Sequence, residues 1–361
     1  QVGSVLPGNF KIKKSKIRSV PSFGMLCSEK ELEISEEHNG IWEMPDSSII
    51  GQKVNEILDT SDSIFDISLT PNRADCLSYL GIARELSGKL GRKLKVPEAV
   101  LKASSFKTSD LANVEVKDPS ACSRFVALAV KGVKVIPSPM WLVKALEKSG
   151  MRSVNLIVDL TNYVMLEQGQ PVHAYDLRSL EGAVIKTDVL EKDTSFKTLD
   201  DKTVQLISGD IVITDAKSVL GVAGVMGGLD SEVKEDTSDI LIEVAEFDPR
   251  KVRSTSKRLG LHTEASHRFE RGVDVVKLPY VAKRLASLIQ TLTIEAGYEA
   301  PEVSEQLCDF YPKPYQEPKI ALRLEQAREL LALPELSLED CIKHLESLGI
   351  NLLDKKELEI S

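Results

Sequence analysis

The chain has 361 residues, 42% hydrophobic and 28% charged, with a formal net charge of −9. That length exceeds what one hydrophobic core usually fills, so two or more domains of an ordinary globular protein are expected. No apolar run is long enough to span a bilayer, no signal-peptide pattern opens the chain, and the acidic balance argues against a protein that grips nucleic acid over its whole surface.

Residues 1–60 read as short strands punctuated by Gly and Pro, and 10–17 (FKIKKSKI) alternates apolar with basic as a half-exposed strand should. Lys11, Lys13, Lys14, Lys16 and Arg18 form one local basic patch; Arg250, Lys251, Arg253, Lys257 and Arg258 form another. Each is either a solvated face or a place where RNA could lie. The chain opens on Gln and stops in mid-pattern, which reads as a piece of a longer protein. Residues 62–69 look like a strand, and 70–75 like a turn into a helix that buries Leu77, Leu80, Ala83, Leu86 and Leu90 on one face. The Lys, Pro and Ser content of 91–112 suggests a linker. Ser138 is placed to cap a helix with Pro139 in its first turn, running to Gly150.

Residues 154–176 (VNLIVDLTNYVMLEQGQPVHAYD) are the most informative stretch. Asp159, Thr161, Asn162, Gln168, Gln170, His173 and Asp176 interrupt an apolar run at positions a simple strand or helix would not use. Such groups are either satisfied internally or aimed at a ligand, because unpaired buried polar groups are costly. Residues 183–245 are strand-rich, with a turn at Asp200-Asp201-Lys202, and two helices follow at about 249–259 and 278–296, the second closed by Gly297. Strands bracketed by helices argue for an α+β module rather than a βαβ sheet. After Tyr311 a proline-bearing linker leads into two short helical patterns ending near Ile350.

Several chemistries are excluded. GVAGVMGG at 221–228 lacks the Lys and hydroxyl of a phosphate-binding loop, no GxSxG elbow is present, and His262 and His267 stand without an HExxH. Cys27, Cys76, Cys122, Cys308 and Cys341 are scattered with no CxxC, which points to reduced thiols in a cytosolic protein and to no metal site. Gly224, Gly227 and Gly228 read as a turn between strands, or as room left for a ligand. Glu243, on a strand face with Leu241 and Ala245, needs a partner; a basic residue of 249–259 is one choice. Thr263 is placed to cap a helix with Ser266. His173 is either a satisfied structural residue or part of a site. Arg268, Glu270, Arg271 and Asp274 read as an internal charge network.

DLTNYVMLEQGQPVHAYDLR at 159–178, GVAGVMGG at 221–228, IEVAEFDP at 242–249 and LHTEASHRFERGVD at 261–274 stand in the order found in the bacterial phenylalanyl-tRNA synthetase β subunit, which the chain resembles. Residues 66–85 (DISLTPNRADCLSYLGIARE) and the lysine-rich text at 9–16 carry the same likeness. The resemblance implies a multidomain α+β fragment. Residues 1–61 would be the C-terminal part of an OB-like barrel of the tRNA-binding type, and 62–102 a small helical domain. Residues 103–312 would form a central α/β editing module, and 313–361 the truncated start of another helical module. It implies an editing pocket that hydrolyses mischarged Tyr-tRNA(Phe). His173, Thr161, Asn162 and Thr263 would serve the reaction, with Glu243, Gly227 and Ala265 binding the tyrosine or tyrosyl ester. No cofactor is implied in this fragment; ATP and Mg²⁺ would act at the α subunit of a cytoplasmic α2β2 enzyme that binds tRNA(Phe), with no membrane partner. The alternative is a non-catalytic scaffold for tRNA docking and subunit assembly.

The logic of such a pocket is physical. An apolar pocket fitted to phenylalanine rejects the hydroxylated analogue by only about 10²-fold. A second site inverts the test: a carboxylate at position 243 is paired by a phenol and left unsatisfied by a bare phenyl ring.

Overall fold

The computed structural model describes residues 1–34, 38, 40–44, 48–57, 63–229 and 232–353. Two compact units divide between Asp66 and Ile67. The domain boundary expected at 61/62 lies outside the described residues, as does the first residue of the strand expected at 62–69.

In the first unit, β1 (Val5–Leu6) pairs with β2 (Phe10–Lys11), and β3 (Ser15–Ile17) with β4 (Val20–Ser22), both antiparallel. The expected single strand over 10–17 is therefore broken at 12–14, where Ile12 alone turns inward and is 6% exposed. One short helix, α1 (Val54–Ile57), completes the described elements of this unit.

Across that division 63–69 forms no strand; Ile64, Phe65 and Ile67 are exposed and have no ladder partner among the described residues. The turn at 70–75 does lead into a helix, α2 (Tyr79–Leu90), capped by Ser78, whose Oγ accepts from the Gly81 N–H. The expected apolar face is only partly buried. Leu80 and Gly81 are covered, but Leu86 and Leu90 are 53% and 59% exposed. The linker expected over 91–112 ends early, in β5 (Ala103–Lys107).

The rest is two large sheets, one separate two-stranded antiparallel ladder and a helical layer. Its strands begin with β6 (Asn113–Val116) and the long β7 (Cys122–Lys131). Then come the helices α3 (Met140–Lys148) and α4 (Leu156–Gln168), followed by β8 (His173–Asp176). The strand-rich part supplies β9 (Val184–Val189), β10 (Thr194–Lys197), β11 (Thr203–Leu206), β12 (Ile211–Thr214), β13 (Val219–Val222), β14 (Met226–Gly227) and β15 (Asp239–Phe247). Helices α5 (Pro249–Leu259), α6 (Glu264–Phe269) and α7 (Leu278–Glu295), strands β16 (Glu302–Gln306) and β17 (Cys308–Phe310), and helices α8 (Leu324–Leu331) and α9 (Leu338–Ser347) finish the chain order.

One sheet has the order β5-β16-β7-β15-β8, with β17 also on β7; the other runs β14-β13-β12-β9-β6. Pairing is antiparallel except between β5 and β16 and between β6 and β9, so the α+β expectation holds against a βαβ sheet. Alternation along β15 separates two cores. Leu241, Ala245 and Phe247 face the second sheet with Phe125, Val212 and Val222, while Ile240, Ile242 and Val244 face α3, α4 and α7 through Leu142, Leu160 and Leu285.

Three local details fix the segment that matters most. The Asn155 side chain, not an apolar start, caps α4 by accepting from the Val158 N–H at 3.0 Å. Gly169 closes the helix at φ +76°, the left-handed turn that glycine adopts without strain, and Pro171 prevents its continuation. The Ser138 hydroxyl does not cap α3. It donates to the fully buried Asp159 at 2.6 Å, and Pro139 takes the cap position. On the outer side, Trp141 meets the Tyr163 ring edge-on, 5.4 Å between centroids.

Candidate functional site

The polar groups of 154–176 divide into two sets. Asp159 accepts from Ser138, Ser153 and the Val154 N–H; Asp176 accepts from Arg178 and Thr237; the Gln170 amide donates to the Ala245 carbonyl at 3.0 Å. These hold the scaffold. Their bonds bring the chain around the edge of the sheet, from the end of α4 into β8.

His173 belongs to the second set. In the antiparallel ladder Glu243 stands opposite His173, and Leu241 opposite Tyr175. Directly opposed residues share a sheet face, so imidazole, phenol and carboxylate all project to the side that faces the second sheet. The Tyr175 hydroxyl donates to Glu243 Oε2 at 2.7 Å, and the Tyr175 ring meets the His173 ring edge-on with centroids 4.4 Å apart. Glu243 is 7% exposed and Tyr175 2%. Among the described residues no basic side chain of 249–259 pairs with Glu243, and Arg258 of α5 pairs with Asp210.

These groups open into a cleft of roughly 530 Å³. Its walls are α4, the turn between β13 and β14, and the start of α6. All seven residues expected at a site line it: Thr161, Asn162, His173, Gly227, Glu243, Thr263 and Ala265. Their freedom differs. Asn162 makes no side-chain hydrogen bond among the described residues, whereas Thr161 already donates to the Val158 carbonyl at 2.7 Å. Thr263 is more committed. Its Oγ1 accepts from the Ser266 N–H, as the expected cap, and donates to the Val225 carbonyl at 2.9 Å, tying α6 to the glycine-rich turn.

The glycines differ from their reading as one turn. Gly224 alone takes a positive φ, +69°. Gly227 is in β14, and a Cβ there would lie 2.8 Å from Leu199 Cδ1 and 3.1 Å from His173 Cε1. A Cβ on Gly228 would lie 2.6 Å from the Leu220 carbonyl oxygen. Two of the three are glycine because neighbours approach closely, not because the backbone turns.

Burial sets the electrostatics. It pushes the Glu243 carboxyl up to about 7, with the Tyr175 hydrogen bond pulling the other way. It lowers His173 to about 4, so that imidazole is neutral at pH 7, and its Nε2 is buried without a partner. A neutral ring with an unpaired nitrogen beside a desolvated carboxylate can hold a water or a hydroxyl between them.

Tyr175, Met165, Leu199 and Phe247 also line the cleft and were not singled out from the sequence. For Tyr175 a signal existed: it lies two residues beyond His173, hence on the same strand face. The charged run after Ala265 meets its expected internal network only in part, since Arg271 pairs with Glu270 while Arg268 and Asp274 pair outside the set, with Glu264 and Lys277. Arg268 bonds Glu264 and the Leu77 carbonyl, and Arg271 bonds Glu270. All five cysteines are unbridged. Among the described residues one trio, Asp75, Cys76 and Glu85, could present three metal ligands. The Arg73 guanidinium already holds Asp75 at 2.9 Å and Glu85 at 2.6 Å, so a side-chain cation fills that place.

Residues 121–294 match the B3/4 domain family. A phenylalanine–tRNA ligase β subunit of Syntrophotalea carbinolica is 44% identical over 360 residues, covering 99% of this chain and 44% of that protein. Its counterpart in Geobacter metallireducens is 46% identical over 333 residues, 92% of this chain and 41% of that one. The chain thus spans less than half the length of these relatives. A crystal structure of an N-terminal fragment of the phenylalanyl-tRNA synthetase β subunit from Pyrococcus horikoshii is 16% identical, covering 78% of this chain and 75% of that fragment, with a TM-score of 0.36, too low to carry an argument about the fold.

Proposed function

Since this chain belongs to the phenylalanine–tRNA ligase β-subunit family while spanning less than half of its relatives' length, we propose that its cleft is an editing site. It hydrolyses the ester of tyrosine mischarged on tRNA(Phe), and amino-acid activation, with ATP and Mg²⁺, falls to a partner α subunit in an α2β2 enzyme. The observation that carries this reading is Glu243, a carboxylate desolvated in a largely apolar cleft, whose Oε1 has no hydrogen-bond partner among the described residues.

A tyrosine side chain in the cleft donates its phenol proton to Oε1. A phenylalanine ring leaves that oxygen dry and unpaired, a penalty of about 1–3 kcal/mol. The aminoacyl ester is already activated, so positioning a water suffices. His173, neutral at pH 7, presents Nε2 to that water. Thr161 and Asn162 reach the ribose hydroxyls. Thr263 contributes by holding the wall, because its proton is engaged by Val225. Ala265 and Gly227 leave room for the ring.

Glu243→Ala should reduce the preference for Tyr-tRNA(Phe) over Phe-tRNA(Phe) in deacylation by about tenfold or more, the worth of a hydrogen bond to a charged group. An unchanged preference overturns the assignment. Gly227→Trp should abolish deacylation while leaving the folded circular dichroism intact, because even a Cβ there presses on His173 and Leu199; an active Trp variant would contradict the cleft as the site. A non-catalytic scaffold is the second reading, favoured by the phenol of Tyr175 already resting on Glu243. It requires that the unaltered protein deacylate neither tRNA.

A further inference from the structure

The proximity of Tyr175 to Glu243 goes a step further, resting on the reading of the cleft as an editing site. We propose that Tyr175 is the positioning residue of that site: by holding Oε2 with its own phenol, it turns Glu243 into a one-oxygen acceptor for the substrate's hydroxyl. The geometry is particular. The bond is 2.7 Å long, the Tyr175 ring is 2% exposed and locked edge-on against His173, and the strand pairing fixes all three side chains on one face. A carboxylate clamped at one oxygen cannot rotate to serve a ligand with both. The chain therefore carries, as a permanent fixture, the same donor group that it would test for in the substrate.

Two consequences follow. Orientation comes first: with Oε2 tied to Tyr175, the carboxylate lining the cleft is fixed before any ligand arrives, so less ordering is needed on binding. Ionisation comes second. A phenol bond favours the charged carboxylate against the burial that opposes it. Without the phenol the buried acid would hold its proton to a higher pH, and a protonated carboxyl can donate as well as accept, which blurs the distinction between a tyrosine and a phenylalanine ring. The titratable groups on the surrounding elements do not stand in for it. His173 is neutral above pH 4 or so, the Cys122 thiol on β7 stays protonated, Glu264 is paired with Arg268, and Glu232, also in the cleft lining, is an acid and offers no phenol-like donor.

The test uses the full-length enzyme carrying Tyr175→Phe, which removes one oxygen from a buried ring. Deacylation of Tyr-tRNA(Phe) and Phe-tRNA(Phe) is followed from pH 5.5 to 9 (chosen to bracket about 7). The unaltered enzyme should lose its tyrosine preference as pH falls through about 7. The variant should lose it at higher pH, with a preference reduced about tenfold at neutral pH and the change falling on KM for the tyrosyl ester more than on kcat. 3-Fluorotyrosine at position 175, which keeps the hydroxyl and makes it a stronger donor, should move the profile the opposite way and serves if the Phe variant folds poorly. An unaltered enzyme without tyrosine preference overturns the editing reading. An enzyme that prefers tyrosine but whose profile is unmoved by both replacements overturns the role of Tyr175 alone.

Discussion

Glu243 and His173 are ladder partners that burial displaces in opposite directions, and their effects on stability oppose each other over the same pH range. Glu243 binds its proton more tightly folded than unfolded, about 7 against an ordinary 4.5. Its contribution is therefore present at acid pH and lost as pH rises through that window. His173 is the reverse, held at about 4 against an ordinary 6.5, so the unfolded chain takes up the extra proton and stability rises with pH between those values. Each displaced unit corresponds to about 1.4 kcal/mol, and between pH 5 and 6.5 the two nearly cancel. His173→Gln removes one arm. The unfolding free energy of that variant, from urea titrations, should fall between pH 5 and 7, by an amount on the order of 2 kcal/mol, relative to the unaltered protein. A flat difference across that interval would mean that the His173 imidazole titrates normally in the folded protein.

At the scale of elements, the segment from α4 into β8 shows where sequence reading succeeds and where it stops. Its polar residues were legible as a set that must be satisfied or aimed at a ligand, and both outcomes occur. Asp159 and Gln170 bond to chain segments far along the sequence, while His173 and Asn162 face the cleft. That division depends on what packs opposite, which local spacing does not contain. The same limit explains the misreadings. The apolar text at 63–69 finds no strand to pair with among the described residues, and Leu86 and Leu90 in the lower half of α2 stay more than half exposed. The Ser138 hydroxyl was drawn to a buried carboxylate instead of a helix start. Thr263 and Ser266, a purely local cap, were legible in full. Helix α5 carries a further prediction. Arg250, Arg253 and Lys257 are exposed with no ion-pair partner among the described residues, whereas Arg258 is engaged with Asp210. If this face meets the phosphates of tRNA, Arg253→Gln should weaken binding and reduce the slope of log affinity against log salt by roughly one, measured by titration at several ionic strengths. An unaltered slope would leave α5 as a solvated surface.

For the whole molecule, the strand-rich α+β character came through from residue patterns, and the seven site residues converged on one cleft because they were recognised as a set rather than singly. Tyr175 escaped because its significance is relational: a tyrosine on a strand is ordinary until its hydroxyl is seen against Glu243. The chain has two tryptophans, and Trp141 lies against Tyr163, the residue that follows Asn162 in the cleft wall. An intrinsic optical reporter thus rests against the helix that lines the ligand space. With Trp42 replaced by Phe, its emission alone would register any shift of α4 as cargo enters or leaves, in real time and without a label.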